Sequence, residues 1–256
     1  MILSRIIHHL KTQNWTAVAI EFVIVIAGVV IGFQVTGWHA ERSDRELETY
    51  YLERLHADLV GTLEDYFANA RWDETQLDAE DIALNALRNC TPADDERDLF
   101  IRGLAFAGNI NPVPLRWETA DELVATGNIS LIRDLELRER LARVNGLNQR
   151  SGTIIEGARQ DTVALRPEIT RQVDVTQYDF VRDAGFDARF DFDALCNDLA
   201  FVGTLSAIHV RSRLIFGFTG EQLERIAELE SYLATSRGLE PWEAPDDTET
   251  SDGDAP

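Results

Sequence analysis

The chain has 256 residues, a hydrophobic share of 45% and a formal net charge of −21. That apolar share supports a packed core and excludes a wholly disordered chain, and the length leaves room for an anchor and one domain of ordinary size. So negative a field repels phosphate backbones, which disfavours nucleic acid as a partner. With 16 glycines, 7 prolines and 27% charged residues, the composition is helical.

Residues 1–14 form a short tail without acids, carrying Arg5, Lys11 and the adjacent His8 and His9. Residues 15–38, WTAVAIEFVIVIAGVVIGFQVTGW, are apolar apart from Glu21 and a few small polar groups. A bilayer span needs about 20 predominantly apolar residues. Trp15 and Trp38 would lie about 34 Å apart on a helix, suited to the two membrane–water interfaces. A secretory signal would have a shorter apolar stretch and a small-x-small cleavage site, whereas this one runs into GFQVTGWHAER. The expectation is an uncleaved transmembrane anchor whose partner is the lipid bilayer.

A second apolar stretch, residues 201–218, carries His209, Arg211 and Arg213 near its middle. Each central arginine costs about 2.5–3.5 kcal/mol on insertion. It reads as a buried helix, which makes the protein single-pass. Arg5 and Lys11 before the span nearly balance Arg42, Arg45 and Arg54 after it. The short basic tail favours a cytoplasmic N-terminus and a periplasmic C-terminal domain in a bacterial inner membrane.

Inside the span, Glu21, Gly28 and Gly32 fall within about 20° of one helical line. Two readings stand. Gly28-x-x-x-Gly32 is a small-residue pattern that lets helix backbones approach, giving a homo-oligomer through the anchor with Glu21 facing protein. Alternatively, Glu21 reaches headgroup water six residues after Trp15.

Beyond Trp38, Leu47, Tyr51, Leu55, Leu59, Thr62, Tyr66 and Ala70 recur at steps of three and four. The anchor is therefore expected to continue as a long amphipathic, coiled-coil-like rod. The pattern loosens, resumes through Leu77, Ile82, Ala86 and Leu87, and should stop before CTPADD at Thr91-Pro92. Residues 95–107 read as a short amphipathic helix and GNINPVPLR as a loop. Thr119 and Glu122 have capping-box spacing, opening a helix that Gly127 would close. From Asp134, the positions Leu137, Leu141, Val144, Leu147, Ile154, Ala158 and Leu165 predict a second long helix with a break at Pro167. Residues 174–193 look irregular, with no strand pattern. A last helix or helix pair runs from about Ala194 to Ser236, with Gly217 and Gly220 as a bend. The acidic segment 239–256 has the composition of a disordered tail.

The expected fold is all-α, divided into a tail (1–14), an anchor (15–38), an extramembrane helical bundle (39–238) and an acidic tail (239–256). Cys90 and Cys196 have no metal-ligand spacing; they are either one long-range disulfide or two small buried hydrophobes. Given the periplasmic topology, a disulfide is expected. The phosphate-loop, H-E-x-x-H, G-x-S-x-G and dinucleotide patterns are missing, so no catalytic residue, metal site or cofactor is assigned. His209 reads as a core polar contact. Asp187, Asp191 and Asp193 read as a solvated turn, because no glycine-turned calcium loop accompanies them.

Glu21, Gly28, Gln34 and Trp38, with the acidic-basic helix after them, resemble a bacterial family of single-pass, N-terminally anchored membrane proteins of unknown function. ELVATGNISLIRDLELRERL is similar to a second family stretch through Glu122, Leu123, Gly127, Leu131, Ile132, Leu137, Arg138 and Leu141. The chain departs from the family at Thr36 and Gly37, where asparagines are common. The resemblance implies a single-pass helical protein and no activity. The leading expectation is a non-catalytic interaction or scaffold module with an unknown envelope protein as partner. The alternative is a sensor-like ligand-binding domain; so few residues precede the span that it would need a membrane partner to signal. An unrecognised hydrolase comes third.

Overall fold

The computed structural model describes residues 15–110, 115–178 and 186–245. The basic tail 1–14, part of the 108–116 loop, the segment 179–185 and the end of the acidic tail lie outside them. The described residues form helices α1 (Trp15–Arg88), α2 (Arg97–Ala105), α3 (Glu118–Ala125), α4 (Leu135–Thr170), α5 (Phe192–Asn197) and α6 (Leu199–Ser236). Strands β1 (Asp174–Tyr178) and β2 (Phe186–Arg189) and two short 3₁₀ turns complete them. The chain divides into two compact units, Met1–Tyr51 and Leu52–Pro256.

The first unit contains the apolar part of α1. Its Ile20, Phe22, Val23, Ile24, Val25 and Ile31 side chains are exposed, as is Trp38. Beyond them Arg42 pairs with Glu46 at 3.0 Å and Arg45 with Glu41, both one turn apart.

In the second unit, α1 buries the expected stripe at Leu55, Leu59 and Thr62, joined by Leu63. Further along, the core-facing positions include Asp73, Gln76 and Glu80 beside Leu77, Ala83, Leu84 and Leu87. These buried polar residues are why the hydrophobic period loosens there. The helix ends before Pro92 as expected, in a Schellman closure. Thr91 N–H donates to the Ala86 carbonyl at 3.0 Å and Cys90 N–H to Leu87 at 3.3 Å. That motif puts its C′ residue in the left-handed region, usually a glycine. Here it is Cys90, with φ 46°. Cys90 is disulfide-bonded to Cys196 of α5, with Cα atoms 5.3 Å apart.

The main core joins Ala83, Leu84 and Leu87 of α1, Phe100, Ile101 and Leu104 of α2, Leu195 of α5, and Phe201, Leu205 and Ile208 of α6. The α1–α2 approach is close enough that a Cβ on Gly103 would lie 2.1 Å from the Ala79 carbonyl oxygen. Helices α4 and α6 pack along each other, with a second core of Leu77, Ile110, Ile155, Ala158 and Ile215.

Five expectations change. The Thr119–Glu122 box does not form: Trp117 is the N-cap and makes no side-chain cap bond. Asp58 of α1 takes that role, accepting from Thr119 N–H at 3.2 Å, and its negative charge suits a helix N-terminus. Helix α4, N-capped by Asp134, runs through Pro167. The proline sits in the last turn, and the residue whose carbonyl loses its intrahelical donor, Val163, is 69% exposed, so water can replace it. Residues 174–189 are not wholly irregular but hold an antiparallel pair, with Val175 opposite Ala188 and a bulge before Gln177. Helix α6 passes Gly217 and Gly220 unbroken; the interruption comes earlier, where Asp198 accepts from Ala200 and Phe201 N–H as N-cap. Finally, packed structure extends past 239, because the Trp242 ring lies tilted against Phe67 with centroids 5.0 Å apart and the Trp242 backbone N–H donates to Glu230 at 3.1 Å.

Candidate functional site: a buried carboxylate network and a cavity at Arg138

Two polar arrangements in the second unit can bear on function. The first surrounds Glu80, which has no solvent exposure. Its Oε1 accepts from Gly108 N–H at 2.7 Å, Ser212 Oγ at 3.1 Å and Gln76 Nε2 at 3.4 Å. His209 Nδ1 lies 3.1 Å from its other oxygen. Nε2 of the same ring is 3.0 Å from Asp81 and 3.1 Å from Arg213 Nε. Gln76 in turn accepts from Arg102, whose guanidinium covers Trp72 at 3.9 Å.

A nucleophilic triad needs serine bonded to histidine and histidine oriented by the acid. Here Ser212 donates to the acid and is fully buried, and both ring nitrogens of His209 have polar partners. The arrangement ties α1, α6 and the turn at Gly108 together. His209 is therefore the core contact expected from the sequence.

The second arrangement is a cavity of about 300 Å³ between α3, the turn Asn128–Leu131 and α4. Trp117, Ala120, Val124, Ile129 and Leu141 make most of its wall, with Arg138 and Asn145 as its polar groups. Arg138, Leu141 and Asn145 follow steps of three and four on α4, one helical face. Trp117 Nε1–H donates to Asn145 Oδ1 at 3.2 Å, so the amide NH₂ is the end left for another acceptor. Arg138 Nε is buried without a hydrogen-bond partner.

A larger cleft of about 520 Å³ between α4 and α6 carries Arg140, Arg143, Arg150 and Arg225. Most of this charge is already paired. Arg140 and Arg143 meet Glu136 at 2.8 and 3.4 Å, and Arg225 meets Glu228 at 2.9 Å.

The other sequence-derived residues are placed as follows. Glu21 is exposed, and nothing lies within 4 Å of a Cβ built on Gly28 or Gly32. Trp38 is 58% exposed, and the Trp15 side chain lies outside the described residues. Asp191 caps α5 by accepting from Ala194 N–H, while Asp187 faces Arg97 at 3.8 Å. Among the described residues there is no group of three or more His, Cys, Asp or Glu side chains placed to hold a metal. Sequence reasoning missed Arg138. The only available signal was an arginine set between the core leucines Leu137 and Leu141.

Among the described residues, two helices are long and apolar enough to cross a membrane. The apolar window of α1 has mean hydropathy 2.2 and no buried share; that of α6 has mean hydropathy 1.3 and is 33% buried. Comparison with known proteins finds no matching family model, curated protein or solved structure.

Proposed function

We propose that the protein is a single-pass, membrane-anchored helical module that binds or scaffolds other envelope proteins from the periplasmic side of the inner membrane. One observation carries the anchoring. Ten large apolar side chains between Ile20 and Val35 are 46–65% exposed. Burying such side chains is worth about 1.5–3 kcal/mol each, and contiguous exposed apolar surface of this extent marks an interaction or membrane site. Helix α6 is different. It packs against α4, and its Arg211 reaches Asp161 at 3.0 Å, so it is assigned to the extramembrane bundle.

Within the anchor, the open space over Gly28 and Gly32 supports self-association along the stripe containing Glu21. Alkaline extraction of membranes should leave the full chain in the pellet, and native cross-linking should then recover an envelope protein. Release into the supernatant would refute the anchor. A second reading, a ligand-binding sensor domain, is favoured by the cavity at Arg138.

A further inference from the structure

We infer that the cavity between α3 and α4 is a binding site for a small organic acid, one carboxylate on an apolar aliphatic or aromatic body. The inference deepens the sensor reading and does not depend on the anchor. A chain that failed to enter membranes would still be expected to bind.

The wall is apolar. Trp117, Val124, Ile129 and Leu141 offer hydrocarbon and one indole face, and the volume of about 300 Å³ is at the small end of ligand sites. Against that wall stands one formal charge, the Arg138 guanidinium. Its Nε is buried and has no hydrogen-bond partner, although acids outnumber bases 45 to 24 in this chain. Arg140 Nε is likewise buried without a hydrogen bond, but Arg140, Arg143 and Arg225 each have a carboxylate at 2.8–3.4 Å, which Arg138 lacks. A buried donor left unpaired is unfavourable, and guanidinium matches the planar geometry of a carboxylate. An anion is the partner that this guanidinium in the cavity wall fits.

A bare inorganic anion would leave the apolar wall uncovered, and a neutral hydrocarbon would leave Arg138 unpaired. An apolar body with one acidic end answers both. Asn145 supplies a further donor. Its carbonyl is fixed by Trp117, so its NH₂ is available to an acceptor elsewhere on the ligand. Arg138 and Asn145 are separated by about 10.5 Å of helix rise, so they would address different parts of the molecule.

The test is calorimetric titration of the full chain in nanodiscs with 3-phenylpropanoate and its uncharged amide, each corrected against empty nanodiscs. Saturable binding of the acid is expected, about 10- to 100-fold tighter than the amide. Arg138→Met should abolish that preference, while Arg150→Met in the neighbouring cleft should leave it intact. Unchanged thermal unfolding of Arg138→Met would show that the fold survives. If the variant unfolds, Arg138→Lys replaces it; retained charge with lost bidentate geometry should weaken the acid about 10-fold and leave the amide unaffected. Equal binding of acid and amide, no saturable binding up to about 10 mM, or an unimpaired folded Arg138 variant would overturn the proposal.

Discussion

Removing the Glu80 carboxylate should destabilise the second unit far more than neutralising it. Four donors converge on this fully buried side chain, from Gly108, Ser212, Gln76 and His209. In Glu80→Ala all four lose their acceptor. Each abandoned buried donor is worth about 1–3 kcal/mol, and breaking a buried charged arrangement typically costs about 3–5 kcal/mol. Because these terms overlap, about 4 kcal/mol is expected for the whole change. Glu80→Gln keeps one oxygen for Gly108 and Ser212, and turns an NH₂ toward His209 Nδ1, which accepts when the ring is neutral with its proton on Nε2. Asp81, 3.0 Å from Nε2, can receive that proton's hydrogen bond. Charge assistance is lost, and the protonated Nε2 can no longer accept from Arg213 Nε at 3.1 Å, together about 2 kcal/mol. Urea unfolding of the full chain in detergent, followed by far-ultraviolet circular dichroism, reads both variants. Equal midpoints for Glu80→Ala and Glu80→Gln would refute the view that this carboxylate organises the core.

Four other perturbations separate specific contacts. Gly103→Ala places a Cβ 2.1 Å from the Ala79 oxygen and 2.6 Å from its carbon; overpacking of about 3 kcal/mol, less about 1 kcal/mol of helix propensity, should leave a net loss near 2 kcal/mol in the same unfolding assay. Reducing the Cys90–Cys196 bond, which spans 106 residues, should lower stability by up to about 4.7 kcal/mol. Because Cys90 has φ 46°, Cys90→Gly with Cys196→Ala should be about 1 kcal/mol more stable than Cys90→Ala with Cys196→Ala, by thermal melting. Asp198 has its pKa held below the usual aspartate value, first by the Gln172 side chain and then by the Phe201 and Ala200 amides. Its contribution is therefore complete above the unfolded value of about 3.9 and disappears as pH falls through the lower folded one. Carboxyl-carbon NMR should place its midpoint below that value, and Gln172→Ala should move it upward.

The parts of the fold legible in the sequence are those where apolar residues alone face the core. Leu55 and Leu59 announced α1, and Thr91-Pro92 marked its end. The same reading weakened at Asp73, Gln76 and Glu80, because a core position occupied by a satisfied polar residue has no hydrophobic period. On α4, Ser151 and Thr162 hide the stripe in the same way. The capping-box error at Thr119 has a long-range cause, since the competing cap comes from Asp58, 61 residues away. Pro167 is a strong breaker locally, yet in the last turn the bond it removes falls on exposed Val163; Gly217 and Gly220 cost only about 1 kcal/mol each, which the packing of α6 on α4 offsets. Asp198, an ordinary acid in an acidic chain, gave no warning that it starts α6. The cavity was invisible for a related reason: Arg138 differs from its neighbours by standing in an apolar wall without a carboxylate, which only the folded arrangement decides.

Single-pass anchoring requires that the apolar part of α1 lies in lipid while α6 does not. Single cysteines introduced at Val25 and Val210, 63% and 60% exposed in the protein alone, can be tested with a membrane-impermeant maleimide on spheroplasts; the native cysteines are already joined. Val210→Cys should react from the outside, and Val25→Cys only after detergent and denaturation. Labelling of Val25→Cys in intact membranes, or protection of Val210→Cys, would contradict it.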